Sequence, residues 1–170
     1  YGESIYLFTH ALMRQAAYDL MPPSVRASLH DAAAAALEIE VGTALDAVSP
    51  EIAEHLRHAV TLSGAAAAPG LAQREVRACL RGARWSLQQF RYSASLRLCE
   101  RASASADATL SQRVEALVLL AETHETTWRV KEGASAAARA VELAAGDRAN
   151  LPLEARALLV FVLLSVFPSW

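Results

Sequence analysis

The sequence predicts an all-α fold: a superhelix of stacked helical hairpins with a short strand remnant at its N-terminal end. Three observations carry that expectation. Ala fills 37 of the 170 positions, and Ala loses least on entering a helix. With 7 Gly, 6 Pro and 6% aromatics, the chain has little of the composition that builds sheets and tight turns. Beyond Leu71, apolar residues recur three and four apart in segments that echo one another. Leu96, Cys99 and Ala102 match Ala134, Ala137 and Ala140 at a spacing of 38, and Ala116-Leu117 match Ala157-Leu158 at 41. Self-similarity at such a period is the mark of stacked repeats.

The elements follow in order. Ser4 to Phe8 alternates like a short strand. Thr9 can cap a helix to about Met21, where Pro22-Pro23 stops it. Ser24 opens a second helix with Val25, Leu29, Ala32, Ala33, Ala36 and Leu37 as its apolar stripe, and Gly42 suits its C-terminal end. Ser49-Pro50-Glu51 reads as cap, first helical residue and dipole-matched acid of a third helix, which carries Ile52, Leu56, Ala59 and Val60 and closes at Gly64. Residues 65–70 read as a linker. Two hairpins then follow, with helices expected at roughly 72–89, 93–105, 110–127 and 133–145. Their turns are expected at Arg91-Tyr92 and near Val130, and Thr109-x-x-Gln112 reads as a capping box. A further helix starts after Pro152.

Composition excludes several classes. Hydrophobic residues at 54% rule out disorder, and two cysteines cannot form a disulfide scaffold. Net charge is −2 with a pI near 6.2, so nothing global favours nucleic acid or an anionic membrane. The longest apolar run, Ala157 to Leu164 extended by Val166 and Phe167, falls short of the roughly 20 residues of a spanning helix. Cys79 and Cys99 form no C-x-x-C and suit a reducing compartment, hence the cytoplasm. The opening Tyr1-Gly2-Glu3-Ser4 lacks a basic and apolar leader, which suggests an excised piece of a longer chain without a signal peptide.

The second hairpin resembles the tetratricopeptide repeat. Small residues recur where paired helices approach: Ala121, Gly133 and Ala140, matched in the first hairpin by Ala83, Ser95 and Ala102. The front third carries a more specific pattern. It runs Phe8-Thr-His10-Ala-Leu12-Met-Arg14 to Ala17-Tyr18, then Arg26-Ala-Ser-Leu29-His30, Ala35-Ala-Leu37-Glu38 and Ile52-Ala-Glu-His55-Leu-Arg-His58-Ala59. This pattern resembles the segment joining the ATPase core to helical repeats in signal-transduction ATPases with numerous domains, especially the large ATP-binding LuxR-type regulators. The resemblance implies that residues 1–64 are a winged-helix tail with connecting helices and that 71–170 are tetratricopeptide-like repeats, the last one truncated. It implies a non-catalytic regulatory segment of a transcriptional regulator. ATP or ADP would bind elsewhere in the parent protein, since no G-x-x-x-x-G-K-[ST] occurs here. DNA would be read through another domain. A protein partner or small effector would engage the repeats. A stand-alone protein-binding scaffold and, more remotely, a helical metal-dependent enzyme are the alternatives.

Candidate site residues follow from these readings. The resemblance implies that His10, in Thr-His-Ala where related switches have Met-His-Asp, contacts the β-phosphate of ADP in the full-length protein. The bland alternative is a His packed between strand and helix. Glu54-His-Leu-Arg-His58 looks metal-like, but its histidines are three apart rather than four, and the expectation is that His55 packs inward while His58 faces solvent. Arg74, Arg77, Arg81 and Arg84 form one basic stripe, either a partner-binding surface or a solvated face paired with nearby acids. Cys79 and Cys99 fall on apolar stripes, as small core residues or a regulatory thiol pair. Val160, Leu163 and Phe167 would form an uncovered apolar surface, favouring a homodimer through the C-terminal helix.

Overall fold

A computed structural model describes residues 11–40, 44–145, 157, 158 and 160. They form seven α-helices and no strand. The helices are α1 (Ala11–Leu20), α2 (Pro23–Glu40), α3 (Leu45–Ser63), α4 (Leu71–Gln88), α5 (Tyr92–Ala104), α6 (Leu110–Thr126) and α7 (Val130–Ala144). The expected strand at Ser4 to Phe8, His10 and Gly42 lie outside the described residues.

From α2 onward each helix packs on the next, and α4 also touches α6. Short connections reverse the chain at each step. The α4–α5 and α6–α7 turns therefore lie at one end of the stack, and the α3–α4 and α5–α6 connections at the other. Contacts at that other end agree: Arg101, late in α5, meets Glu75, early in α4, and Gln73 meets the Asp107 carbonyl and Gln112. One core runs unbroken from Ala34 of α2 through Ile52 and Leu56 of α3, Val76 and Leu80 of α4 and Leu98 of α5 to Leu119 of α6. Residues 64–70 make a 3₁₀ turn at Gly64–Ala66 and a bend into α4. Across this expected linker α3 packs along α4 as closely as α6 does along α7.

Small side chains set the spacing. Ala53, Ala59, Ala83, Ala121, Ala137 and Ala140 have no exposed surface. Larger residues such as Ile52, Leu56, Leu98 and Leu117 fill the remaining volume, each burial contributing about 1.5–3 kcal/mol. Helix α6 is buried on most sides, which is why its sequence shows so little polar face. Its start is the capping box expected from sequence: the Gln112 N–H donates to Thr109 Oγ1 and the Thr109 N–H to Gln112 Oε1.

Three expectations need correction. Helix α3 starts at Leu45, so Pro50 is interior, and the Ser49 hydroxyl donates back to the Leu45 carbonyl at 2.6 Å instead of capping. Helix α2 is rotated from its expected stripe: Ala27 and Ala34 are buried, while Val25 and Leu29 are about half exposed. The rotation brings His30, Asp31 and Glu38 toward α3 and α4, where they find ring and ion partners. Val160, expected on an uncovered surface, is buried against Ala121, Ala136 and Ala137 of α6 and α7, so it is a core residue. Leu163 and Phe167 lie outside the described residues.

Candidate functional site

Three places gather chemistry: a histidine cluster at the front of the stack, an arginine network through its middle, and the two turns at one end.

The cluster joins three helices. The Tyr18 hydroxyl of α1 lies 2.9 Å from His30 Nε2 of α2, and His30 Nδ1 lies 2.9 Å from His55 Nδ1 of α3. The His30 ring also stacks on His58 of α3, with centroids 4.7 Å apart and planes 18° from parallel. Arg57 Nη2 donates to His58 Nε2 at 3.1 Å. One neutral tautomer set satisfies every contact: the Tyr18 O–H donates to His30, and the His30 Nδ1–H donates to His55. Arg26 sits over the Tyr18 ring at 5.0 Å. Burial, followed by the charges of His58, His55, Arg26 and Arg57, holds the His30 pKa below its usual value. Burial and Arg57 do the same to His58, against an opposing pull from Glu54. His58 is thus half-buried in a stack rather than facing solvent. Among the described residues, no group of three or more His, Cys, Asp or Glu side chains is placed to hold a metal ion. The parallel His30 and His58 rings do not aim their lone pairs at one point. The cluster ties α1, α2 and α3 together.

Three of the four arginines of the α4 stripe meet acids on neighbouring helices. Arg74 reaches Asp31 at 2.5 Å and Glu38 at 2.9 Å, both on α2. Arg81 faces Asp46 of α3 at 3.8 Å, and Arg84 pairs with Glu115 of α6. Arg77 is exposed, with no acid partner among the described residues. Sequence reasoning missed a more central cation, Arg101 of α5. Its guanidinium donates to Glu54 Oε1 at 2.7 Å, Glu75 Oε1 at 2.7 Å and the Ala53 carbonyl at 2.9 Å. This links α5 to α3 and α4 at once. No sequence signal marks Arg101 off from the other arginines.

Cys79 and Cys99 share the main core. Both are free and buried, and burial pushes each thiol up to about 12. The thiolate is the reactive form, so both behave as small core residues.

The two turns close in the same way, 38 residues apart (90 and 128). After α4 the Arg91 N–H donates to the Ser86 carbonyl and the Phe90 N–H to Leu87; after α6 the Arg129 N–H donates to His124 and the Trp128 N–H to Glu125. These are the paired bonds of the Schellman motif, whose left-handed position usually holds Gly. Here Phe90 and Trp128 occupy it, each at φ 59°. Left-handed backbone costs an L-residue about 1 kcal/mol. Neither ring recovers that by burial, since Phe90 is 77% and Trp128 83% exposed. Arg91 and Arg129 then stand at the N-cap of the next helix with no capping side-chain bond.

No family model, curated protein or solved structure matches the chain.

Proposed function

We propose that the chain is a non-catalytic regulatory and sensor segment of a multidomain signalling ATPase, a transcriptional regulator of the LuxR type. In this reading its hairpins form a tetratricopeptide-like arm that a protein partner or small effector engages. The observation that supports it most is the twofold hairpin closure at Phe90 and Trp128. Small residues repeat in the same register: Ala83 with Ala121, Ser95 with Gly133, Ala102 with Ala140, all buried. Such a stack offers extended surface, which suits the binding of a partner. The nucleotide, ATP or ADP, belongs to the parent's ATPase module, with His10 as a contact to its phosphate. Effector occupancy of the arm would reach that module through α1 to α3. The proposal carries a cytoplasmic location with it.

The test is the gene upstream of Tyr1 and the enzyme that it encodes. A G-x-x-x-x-G-K-[ST] motif is expected there, and deleting residues 71–145 should change the ATP hydrolysis rate of the full protein. A gene with no such motif leaves a stand-alone scaffold. In the full protein, His10→Ala should weaken ADP retention and raise basal activity.

A further inference from the structure

We propose that the end of the stack bearing the two turns is a docking edge for an acidic protein segment that carries apolar side chains. The Phe90-Arg91-Tyr92 tip and the Trp128-Arg129 tip grip it. The proposal rests on the protein-binding part of the reading above and is independent of the ATPase context.

The chain's own stability does not account for these tips. Stability alone would place Gly at 90 and 128, where the backbone is left-handed. It would place Ser, Thr, Asp or Asn at 91 and 129, where each following helix lacks a capping bond. An Arg there also opposes the helix dipole. The unfavourable choices occur together, and occur twice at the same register. Both tips lie at one end of the stack because the helices alternate in direction. An elongated partner can therefore touch both.

The chemistry of the first tip selects the occupant. No acid lies between Glu75 and Glu100 in the sequence. Of the arginines in that span, Arg91 and Arg97 stand at this tip, while Arg81 and Arg84 pair with Asp46 and Glu115. A shallow depression there is lined by Phe90, Arg91, Tyr92, Ser93, Ala94 and Arg97. The Phe90 and Tyr92 rings stand edge to face, 6.4 Å apart, and Arg91 lies over the Trp85 ring at 5.1 Å. An apolar side chain seats against the exposed Phe90 ring. A neighbouring carboxylate meets Arg91, Arg97 and the uncapped start of α5. At the second tip Glu125 and Glu132 flank Arg129 and Lys131, so that tip offers mainly the Trp128 surface. A nucleic-acid strand, with a phosphate at every step, would meet those two acids. A protein segment can keep its carboxylates at the first tip and set an apolar residue on Trp128.

The experiment uses a random twelve-residue peptide library on phage, selected on this chain and counter-selected on the double variant Phe90→Gly/Trp128→Gly. Glycine suits both backbone positions, so circular dichroism and the thermal midpoint should show the variant folded. Enriched peptides are expected to carry excess Asp and Glu beside Leu, Phe or Trp. A synthetic copy should bind the parent chain at least tenfold more tightly than the double variant, and Arg91→Glu/Arg97→Glu should weaken it similarly. Basic peptides, no enrichment, equal binding to both chains, or tighter binding of a labelled oligothymidylate than of the peptide would each overturn the proposal. A parent gene without an ATPase motif would leave this outcome unaffected.

Discussion

Gly82 of α4 approaches Pro50 of α3 so closely that a Cβ at position 82 would lie 2.9 Å from the proline nitrogen and 3.2 Å from its Cα. Pro50 has no N–H to project into that gap, so an interior proline and an interior glycine make one close helix crossing. Gly82→Ala should therefore destabilise the chain by about 1–3 kcal/mol through overpacking. On an open helix surface the same change would stabilise by about 1 kcal/mol. Urea unfolding distinguishes the two, and a rise in the midpoint would refute the close crossing.

Arg101 should be the most costly arginine to remove. Its side chain is 23% exposed and holds two carboxylates and a carbonyl. Arg101→Met is expected to cost about 2 kcal/mol, between the values for exposed and fully buried pairs. Arg84→Met breaks a more exposed pair with Glu115 and should cost about 0.5 kcal/mol. Denaturant midpoints of the two variants settle the order.

Acid should loosen the front of the stack. His30 and His58 titrate below their usual 6.5 when folded. The unfolded chain therefore takes up protons first as pH falls through about 6.5, and stability drops from there downward, while these two groups leave it unchanged well above 6.5. His124 in α6 is lowered too, chiefly by burial. Glu54, whose pKa lies below its usual 4.5, adds a loss in the same direction only at more acidic pH. Between about pH 7.5 and 5.5 the urea midpoint should fall, and less so in His30→Gln. An equal fall in both chains would remove His30 from this account.

Both thiols should resist modification. At about pH 8 a chromogenic disulfide reagent should react slowly with the native chain and rapidly with both Cys79 and Cys99 in guanidinium chloride. Fast reaction of the native chain would contradict their burial.

Relief of backbone strain gives a test of the turns by themselves. Phe90→Gly and Trp128→Gly should each raise stability by about 0.5–1 kcal/mol, because the rings contribute little burial and Gly enters the left-handed region freely. A loss in either variant, read from thermal unfolding, would show that the aromatic ring supports the fold.

Much of the architecture was legible before the structure. Helices α4 to α7 begin and end within three residues of their expected bounds, and Thr109 with Gln112 caps α6 as its spacing implied. Local signals failed where packing outweighed them. Ser49-Pro50 has the form of a helix start, yet Ala44 holds the cap position of α3 and Ile52, Ala53 and Leu56 bury the face that follows. The turn residues were expected one or two positions late, because Phe and Trp carry no left-handed signature. The match of Phe90-Arg91 with Trp128-Arg129 was the clue available. The histidine cluster depends on the rotation of α2, which its long Ala run leaves undetermined, so His30 was not seen as a partner of His55 and His58.

The matching turns have a further consequence. Arg91 and Arg129 occupy nearly the same backbone conformation, with φ −89° at both and ψ 62° and 69°. The stretch from one to the other is therefore a module with interchangeable ends. A tandem copy would meet the same backbone conformation at its junction. Each such copy would carry one further aromatic residue at the left-handed turn position that Phe90 and Trp128 now hold.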